Sequence, residues 1–487
     1  MISKAVRRML AVSLAAVMAV GAAGCGKETT TTPDPTKAPD TTGGDVTETA
    51  DPTEAPVEED LGVYTILKDE NGNTLDFGGM HVIVRDWWAS GERTTTNAYD
   101  EAKWEYVEWL EETYNFTIEE KAIGDWGSNQ TDFQTYASEP DDGENYIFTL
   151  RAGDALLSML DAGLMKDLNT LNVFDWTEDK FTQNNAHKYM QVGDKIYGMR
   201  AGSPEPRGCL YFNKRLVQEA GIDPEQLYDW QLNNEWTWAK FEECLAKVQR
   251  DIDGDGQIDV YGMAQQGSDI HKCAVVVNGG SFIGKDENGK FYNNLENPAT
   301  IEALNWSVDI RAKYEMPQPA DSAWNWFFAE FINGNAAFMT GQAYMAGQDL
   351  KDMVDDIGCL AFPTGPSSNG YKGYYEDNVM VIPANYSDEK AAKIALIYDL
   401  YTAPVPGFEN SEGWKTGYYT QMDDTRSVDE SLAYLVASGE PLHDTMVSGI
   451  SLGADILWEL GYTYQAAERA EALREQWNGH IEKANNR

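Results

Sequence analysis

Residues 209–223 read CLYFNKRLVQEAGID, a stretch in which a predicted strand passes directly into a predicted helix. Tyr211 and Phe212 end the strand, because bulky aromatic residues favour extended backbone. Lys214–Ala220 is the predicted helix, and Gly221 stops it. A strand followed at once by a helix is the repeating unit of α/β proteins.

The same order of elements recurs on both sides of this stretch. Runs of β-branched and aromatic residues predict strands, and apolar residues three and four apart predict helices. Thr237 and Ser387 are predicted to cap the helices that follow them. Predicted strands cover 81–85 and 145–149, and predicted helices cover 102–114, 155–160, 238–249, 388–401 and most of 454–484. Strands that alternate with helices over about 400 residues predict an α/β architecture.

The N-terminus has the composition of an export signal. Basic residues precede an apolar run at 9–20 that is too short to span a membrane, so residues 1–24 are predicted to be a signal peptide. Cys25 follows Ala22-Ala23-Gly24 and resembles the lipid-accepting cysteine of a bacterial lipobox. The alternative is an ordinary signal peptide with an incidental cysteine. We expect a lipoprotein anchored through Cys25 at the extracellular face of the cytoplasmic membrane.

Residues 25–60 contain no aromatic residue and are crowded with Thr, Pro and acidic residues. Such a segment cannot bury enough apolar surface to offset its ordering entropy. It is therefore predicted to be a disordered linker between the lipid and the folded body.

Charge and cysteine usage exclude several classes of partner. The chain carries 37 basic and 80 acidic residues, a formal charge of −43, which disfavours nucleic acid and anionic lipid as ligands. The four cysteines beyond Cys25 form no CxxC pair, which favours buried thiols over two disulfides: Cys209, Cys244, Cys273 and Cys359. We expect a monomer with two or three domains in 487 residues.

The segment DIDGDGQID at 251–259 matches the first nine positions of a calcium loop. Oxygen ligands fall at positions 1, 3, 5, 7 and 9: Asp251, Asp253, Asp255, Gln257 through its carbonyl, and Asp259. Position 12 is Gly262 rather than the bidentate Glu of an EF-hand. The pattern predicts a structural calcium ion, and the alternative is an Asp-rich turn without metal.

Aromatic residues at loop positions suggest a carbohydrate ligand. Trp87 and Trp88 directly follow the predicted strand at 81–85, where ligands of α/β proteins bind. Trp126, Trp324 and Trp326 also lie in or beside predicted loops, although most aromatic residues belong to cores. No HExxH, GxSxG, Walker or GxGxxG motif is present, and the five His residues show no metal-ligand spacing.

From about residue 80 onward the sequence resembles the bacterial extracellular solute-binding proteins of family 1, which feed sugar ABC importers. Five regions occur in the order that the family has them: DKIYGM at 194–199 with CLYFNKR at 209–215 and EAGID at 219–223, EWTWAKF at 235–241, the Asp-rich loop with YG at 261–262, FINGNAAFM at 331–339 with GQAY at 341–344, and GCLAFPTGP at 358–366.

The resemblance implies a type II periplasmic-binding-protein fold, with two α/β lobes, a hinge and a ligand cleft between the lobes. It assigns residues 61–206 and 376–428 to lobe I and residues 207–375 and 429–487 to lobe II. The chain would cross between the lobes near 205–210 and again near 375–381.

The resemblance also implies the ligand contacts and the partners. The residues that match the family's cleft positions are Asp86, Trp87, Trp88, Thr149, Arg151, Asp154, Glu205, Arg207, Tyr344, Glu376, Asp377 and Trp458. The expected ligand is a sugar, with an oligosaccharide favoured by the number of aromatic residues, and the expected partners are importer permease subunits. No enzymatic activity is expected. The alternatives are a cell-anchored carbohydrate-active enzyme and a scaffold that captures no solute.

Overall fold

The computed structural model of the chain describes residues 64–69, 71–265, 267–375, 378–409, 412–422, 424–460 and 465–486. The predicted signal peptide (1–24), the predicted linker (25–60), Cys25, Glu376 and Asp377 lie outside the described residues.

The chain divides into two units, Met1–Leu75 and Asp76–Arg487. In the first unit, the described residues form a tight turn that Lys68 and Thr74 close with an antiparallel bridge. The Asp69 carboxylate accepts hydrogen bonds from the backbone N–H groups of Asn71 and Asn73 in this turn. All further description concerns the second unit.

Strands and helices alternate through the second unit as the sequence predicts. The strands are β1 Met80–Asp86, β2 Phe116–Ala122, β3 Tyr146–Leu150, β4 Gln191–Val192, β5 Lys195–Ile196, β6 Arg207–Asn213, β7 Tyr261–Met263, β8 Ile283–Lys285, β9 Phe291–Asn293, β10 Ala336–Gln342, β11 Ile357–Ala361, β12 Tyr374–Tyr375, β13 Val379–Val381 and β14 Glu440–Pro441.

The α-helices are α1 Ala98–Tyr114, α2 Asn129–Ser138, α3 Asp154–Asp161, α4 Asp179–Thr182, α5 Ala186–Tyr189, α6 Lys214–Glu219, α7 Pro224–Leu232, α8 Trp238–Val248, α9 Gly267–Val277, α10 Pro298–Tyr314, α11 Trp326–Ile332, α12 Asp388–Tyr401, α13 Trp414–Met422, α14 Ala433–Ser438, α15 Trp458–Leu460 and α16 Ala466–Asn485. Short 3₁₀ segments cover Leu168–Leu171, Ala343–Gly347 and His443–Met446, and π-helical segments cover Ser427–Leu432 and Gly453–Leu457.

Local capping chemistry fixes where several helices begin. The Thr237 side chain accepts from the Lys240 N–H and starts α8, and the Ser387 side chain accepts from the Lys390 N–H and starts α12. Both predicted caps are confirmed. Helix α1 begins four residues earlier than predicted, because Asn97 caps it through the Asp100 N–H.

The first sheet has the strand order β13-β3-β1-β2. Strands β1, β2 and β3 are parallel, and β13 runs antiparallel to β3. Because β1, β2 and β3 point the same way, they all finish at one end of the sheet. We call this end the first edge; it is followed by the loops that start at Trp87, Ile123 and Arg151.

The second sheet has the order β14-β12-β6-β10-β7, and β11 also pairs with β6. Strands β7 and β10 are parallel, and β6 is antiparallel to β10, so that Arg207 pairs with Gln342. The end where β7 and β10 finish and β6 begins is called the second edge. Strands β12 and β14 are parallel to each other and antiparallel to β6, so they also finish at this edge.

Each sheet has its own hydrophobic core. Phe133, Phe148 and Leu156 belong to the core of the first sheet, and Phe212 and Trp236 belong to the core of the second. The four described cysteines are buried and unbridged, as the sequence favours. Burial raises the pKa of Cys244 to about 12, which keeps this thiol protonated at neutral pH.

The chain passes between the two sheets more than once. It enters the second sheet at β6 and returns to the first sheet at β13. After α12, residues 414–422 and 424–428 pack against the second lobe's sheet and its flanking elements: the Cys359 N–H of β11 donates to Ser427 Oγ at 2.7 Å. The prediction placed residues 376–428 in lobe I, and its C-terminal part instead lies with the sheet of lobe II. The rest of the division into lobes stays a prediction.

Among the described residues, no helix combines the length and the apolar composition that crossing a membrane requires.

Candidate ligand-binding site

Two adjacent tryptophans stand at the end of β1. The Asp86 carboxylate is buried and accepts the backbone N–H groups of Trp88 and Ala89, both at 2.9 Å. Burial raises the pKa of Asp86, against the effect of these two bonds. The Trp87 and Trp88 rings meet edge to face, with centroids 4.7 Å apart, and Trp88 is 47% exposed. Asp86 therefore shapes the turn that presents the two indoles.

A tryptophan and an arginine stack where the loops after β2 and β3 meet. The Arg151 guanidinium lies 3.7 Å from the centroid of the Trp126 ring, and Trp126 is 62% exposed. Arg151 also donates to Gln130 Oε1 at 2.8 Å, and burial lowers its pKa. We call Trp126 and Arg151 the Trp–Arg stack; its apolar face and its donors suit a ligand with both C–H and hydroxyl groups.

Trp126 was not among the predicted contacts, although a signal for it exists in the sequence. It lies in a Gly-flanked loop four residues after the end of β2, and Trp87 is the first residue after β1. Asp125 Oδ1 accepts the N–H groups of Gly127 and Ser128, both at 2.8 Å, and these bonds lower the pKa of Asp125. An Asp-stabilised turn therefore presents the tryptophan in both loops.

The other two predicted residues near β3 have different surroundings. Thr149 is fully buried within the strand. Asp154 opens α3 and accepts hydrogen bonds from Ser448 Oγ and from the Gly449 N–H. Ser448 and Gly449 belong to the chain that leaves the second edge after β14.

Three predicted residues come together at the second edge. Glu205 and Arg207 form an ion pair at 3.5 Å, and the Tyr344 N–H donates to Glu205 Oε1 at 3.4 Å. Burial, with a smaller contribution from the Glu205 charge, raises the pKa of Tyr344 to about 12. This group presents a neutral phenol beside a paired charge.

A cavity of about 600 Å³ opens beside β7 at the same edge. The Met316 N–H bonds to the Met263 carbonyl, so residues 315–318 run alongside β7 and continue past its end. The polar and aromatic side chains of the cavity wall are Gln265, Arg311, Glu315, Gln318, Trp324 and Trp326. Trp324 is 73% exposed, so it is a surface residue and does not belong to a core.

A buried network holds the arginine of this cavity. Arg311 makes two hydrogen bonds to the Glu315 carboxylate, and its Nη1 donates to His271 Nε2 at 3.2 Å. Because Nε2 accepts, Nδ1 carries the proton and faces Ser307 Oγ at 2.7 Å. Burial and then the Arg311 charge lower the pKa of His271 to about 3, so the imidazole is neutral. Three hydrogen bonds thus hold the Arg311 side chain in place, and its charge is paired with that of Glu315.

The remaining predicted contact, Trp458, is 68% exposed and begins α15. In the part of the chain that the structure describes, no interaction joins Trp458 to the Trp–Arg stack or to Tyr344.

The Asp-rich loop between α8 and β7 brings three of its predicted ligands together. One carboxylate oxygen each of Asp251, Asp253 and Asp259 lies within 4.8 Å of the others, and all three residues are exposed. Gly256 has φ +90°, which an L side chain rarely adopts, and its N–H bonds to Asp251. Asp255 lies outside this group and accepts the Gln257 N–H at 2.7 Å. Converging hard oxygen donors are the set that calcium requires.

The sequence and the fold both match known proteins. The family model for "bacterial extracellular solute-binding protein" matches residues 122–396. An arabinooligosaccharide-binding protein of Halalkalibacterium halodurans is 25% identical over 229 residues, which cover 45% of this chain and 46% of that protein. The matched region thus spans about half the length of this curated relative.

Two solved structures share the fold at low identity. The cyclic α-maltosyl-1,6-maltose binding protein of Arthrobacter globiformis has a TM-score of 0.57 and 16% identity, over 83% of this chain and 100% of that chain. The GacH receptor of Streptomyces glaucescens, solved unliganded and with acarbose, has a TM-score of 0.55 and 16% identity, over 83% and 99%. The fold is the two-lobed fold of periplasmic binding proteins, as predicted.

Proposed function

The chain belongs to the bacterial extracellular solute-binding proteins, and from this premise we propose that it captures an oligosaccharide between its lobes for an ABC importer. Exposed indoles at the first edge and the cavity at the second edge would enclose the ligand. A ligand that binds the closed arrangement better than the open one shifts the equilibrium towards closure. The permease would then receive the closed form.

The Trp–Arg stack is the observation that carries this proposal. Sugars offer apolar C–H faces, which stack on aromatic rings, and hydroxyl edges, which need directed hydrogen bonds. Trp126 supplies an exposed face, and Arg151 supplies donors 3.7 Å from that ring. The ion pairs Glu205–Arg207 and Arg311–Glu315 support a ligand without net charge, because each pair balances its own charge.

Binding is favoured over hydrolysis. The related proteins are named for binding, and hydrolysis needs two carboxyl groups that flank the bond to be cleaved. Asp86 holds a backbone turn, and Glu205 and Glu315 are paired with arginines. Release of reducing ends from a bound glycan would instead support the enzyme alternative.

Thermal unfolding of the full chain across arabino-, malto- and manno-oligosaccharides tests the proposal. A ligand at a hundred times its dissociation constant adds about 2.7 kcal/mol to the free energy of unfolding. We expect one related group of glycans to raise the midpoint. A midpoint that no glycan raises would contradict carbohydrate capture and would favour the scaffold alternative.

The proposal includes a lipid on Cys25 that holds the protein at the extracellular face of the cytoplasmic membrane. The apolar run before Cys25 and the family membership support it. The unsubstituted protein should incorporate a labelled fatty acid when it is produced in bacteria, and the Cys25→Ser protein should not. A Cys25→Ser protein that incorporates as much label as the unsubstituted protein would contradict the lipid on Cys25.

We also propose that the 251–259 loop binds a structural calcium ion through Asp251, Asp253 and Asp259. Their converging oxygens support this site, and Asp255 and the Gln257 carbonyl could complete it only after the Asp255 side chain turns from the Gln257 N–H.

A further inference from the structure

Asp154 connects the two lobes directly. It is the first residue of α3 and follows the first edge, close to Arg151 in the chain. Its Oδ1 accepts the Ser448 hydroxyl and, at 3.0 Å, the Gly449 N–H. Ser448 and Gly449 follow β14, which finishes at the second edge. One carboxylate oxygen therefore holds two donors that come from the opposite lobe.

The loop that contains Ser448 and Gly449 packs against helix α16. Gly449 has φ +88°, and a Cβ at this position would lie 2.2 Å from the His480 imidazole. The His480 ring, on α16, therefore packs directly against the glycine backbone. Any side chain at 449 would displace this ring, so the loop needs a glycine where it meets Asp154.

The position of this contact explains what it can control. Hydrogen bonds within one lobe persist when the lobes separate, whereas a hydrogen bond between lobes exists only when they are close. Asp154 follows Arg151 of the Trp–Arg stack by three residues, so the contact joins the loop after β3 to the opposite lobe. Bonds that exist in only one of two conformations shift the equilibrium towards it.

We propose that Asp154, with Ser448 and Gly449, forms an interlobe latch that favours the closed arrangement and so tunes ligand affinity and release. Asp154 is a positioning residue in this proposal, because it acts on the distance between the lobes rather than on the ligand. The effect on affinity rests on the proposed capture function, but the effect on the lobes does not.

The test measures the distance between the lobes without any ligand. The four described cysteines are buried, so spin labels can be placed at Glu105→Cys on α1 and Glu475→Cys on α16, both exposed, in the full chain with Cys25→Ser. The variants are Asp154→Ala, Ser448→Ala and the double variant, and the control is Ser158→Ala, an exposed residue of the same helix α3.

Asp154→Ala and Ser448→Ala should each lower the population with the shorter interlobe distance, relative to the population with the longer one, by about two- to tenfold. Loss of the carboxylate removes both bonds, so the double variant should shift no further than Asp154→Ala. Ser158→Ala should leave the ratio unchanged. If Asp154→Ala weakens helix α3, its shift has a second explanation. Ser448→Ala decides that case, because Ser448 is not part of that helix.

Distance distributions of both single variants that superimpose on that of the unsubstituted protein would overturn the latch. Shifts that add in the double variant would overturn it as well. A protein that shows the predicted shift but binds no glycan would retain the latch and lose the carbohydrate function, so the two failures are distinguishable.

Discussion

At the scale of single residues, the exposed tryptophans distinguish this chain from one whose aromatic residues only fill cores. Trp88 and Trp126 follow parallel strands of the first sheet, and Trp324 lies in the wall of the second-edge cavity. Exposing the apolar surface of an indole to water is unfavourable in free energy, and a ligand stacked on the ring removes that surface from water. Their chemistry is therefore the most direct indicator of the ligand.

Trp126→Ala should weaken glycan binding by about tenfold, because it removes an aromatic contact of roughly 0.5–1.5 kcal/mol together with buried apolar area. Arg151→Ala should have an effect of similar size through lost hydrogen bonds. Tyr292→Ala is the matched control, since Tyr292 is an exposed aromatic residue of the β8–β9 hairpin. Calorimetric titration measures all three; equal effects of Trp126→Ala and Tyr292→Ala would contradict the assignment.

The buried His271 makes stability depend on pH. Its pKa of about 3 in the folded protein is below the ordinary value near 6.5, so below pH 6.5 the unfolded chain binds one proton more. Stability therefore falls as the pH falls, and His271 should contribute a loss of about 2 kcal/mol between pH 7 and pH 5. Burial also lowers the pKa of His187, to about 4, with the same sign.

His271→Gln should reduce this pH dependence, because the amide can accept from Arg311 and donate to Ser307 without titrating. Denaturant unfolding at pH 7 and pH 5 measures the difference, and His81→Gln, at an exposed residue, is the control. An unchanged loss of stability in folded His271→Gln protein would contradict the assigned protonation state.

At the scale of elements, the Asp-rich loop gives the clearest prediction. Chelation should lower the unfolding midpoint, because calcium at ten times its dissociation constant contributes about 1.4 kcal/mol. Asp259→Asn should abolish the chelator effect, since Asp259 supplies one of the three converging oxygens. Asp286→Asn, in the turn of the β8–β9 hairpin, is the matched control. A chelator effect that persists in Asp259→Asn would contradict the site.

Elements whose signals are local could be predicted from the sequence. The caps Thr237 and Ser387 and the strand before Trp87 each follow from a few neighbouring residues. The Trp–Arg stack and the second-edge cavity could not be predicted from the sequence, because the folded sheets bring together residues that are distant in the chain. The grouping of Glu205, Arg207 and Tyr344 was expected only from the family resemblance. Asp154 could not be assigned correctly from the sequence for the same reason. Its position in the sequence suggests a ligand contact, but its hydrogen-bond donors come from the other lobe.

At the scale of the whole molecule, two lobes with separate cores are joined by segments of the chain that pass between the two sheets. This construction lets each lobe stay rigid while the hinge changes the width of the cleft. Because residues 414–422 and 424–428 pack with the second sheet, the chain passes between the lobes once more after α12. Ligand capture would use this freedom, and the Asp154 latch would limit it.

The most direct measurement is calorimetric titration of the full chain with arabino-, malto- and manno-oligosaccharides of increasing length. We expect one series to bind with one ligand per chain, with affinity rising with length as further sugars reach the indoles of both edges, and with Trp126→Ala weakening each member. The absence of binding heat and of any change in midpoint throughout all three series would contradict oligosaccharide capture.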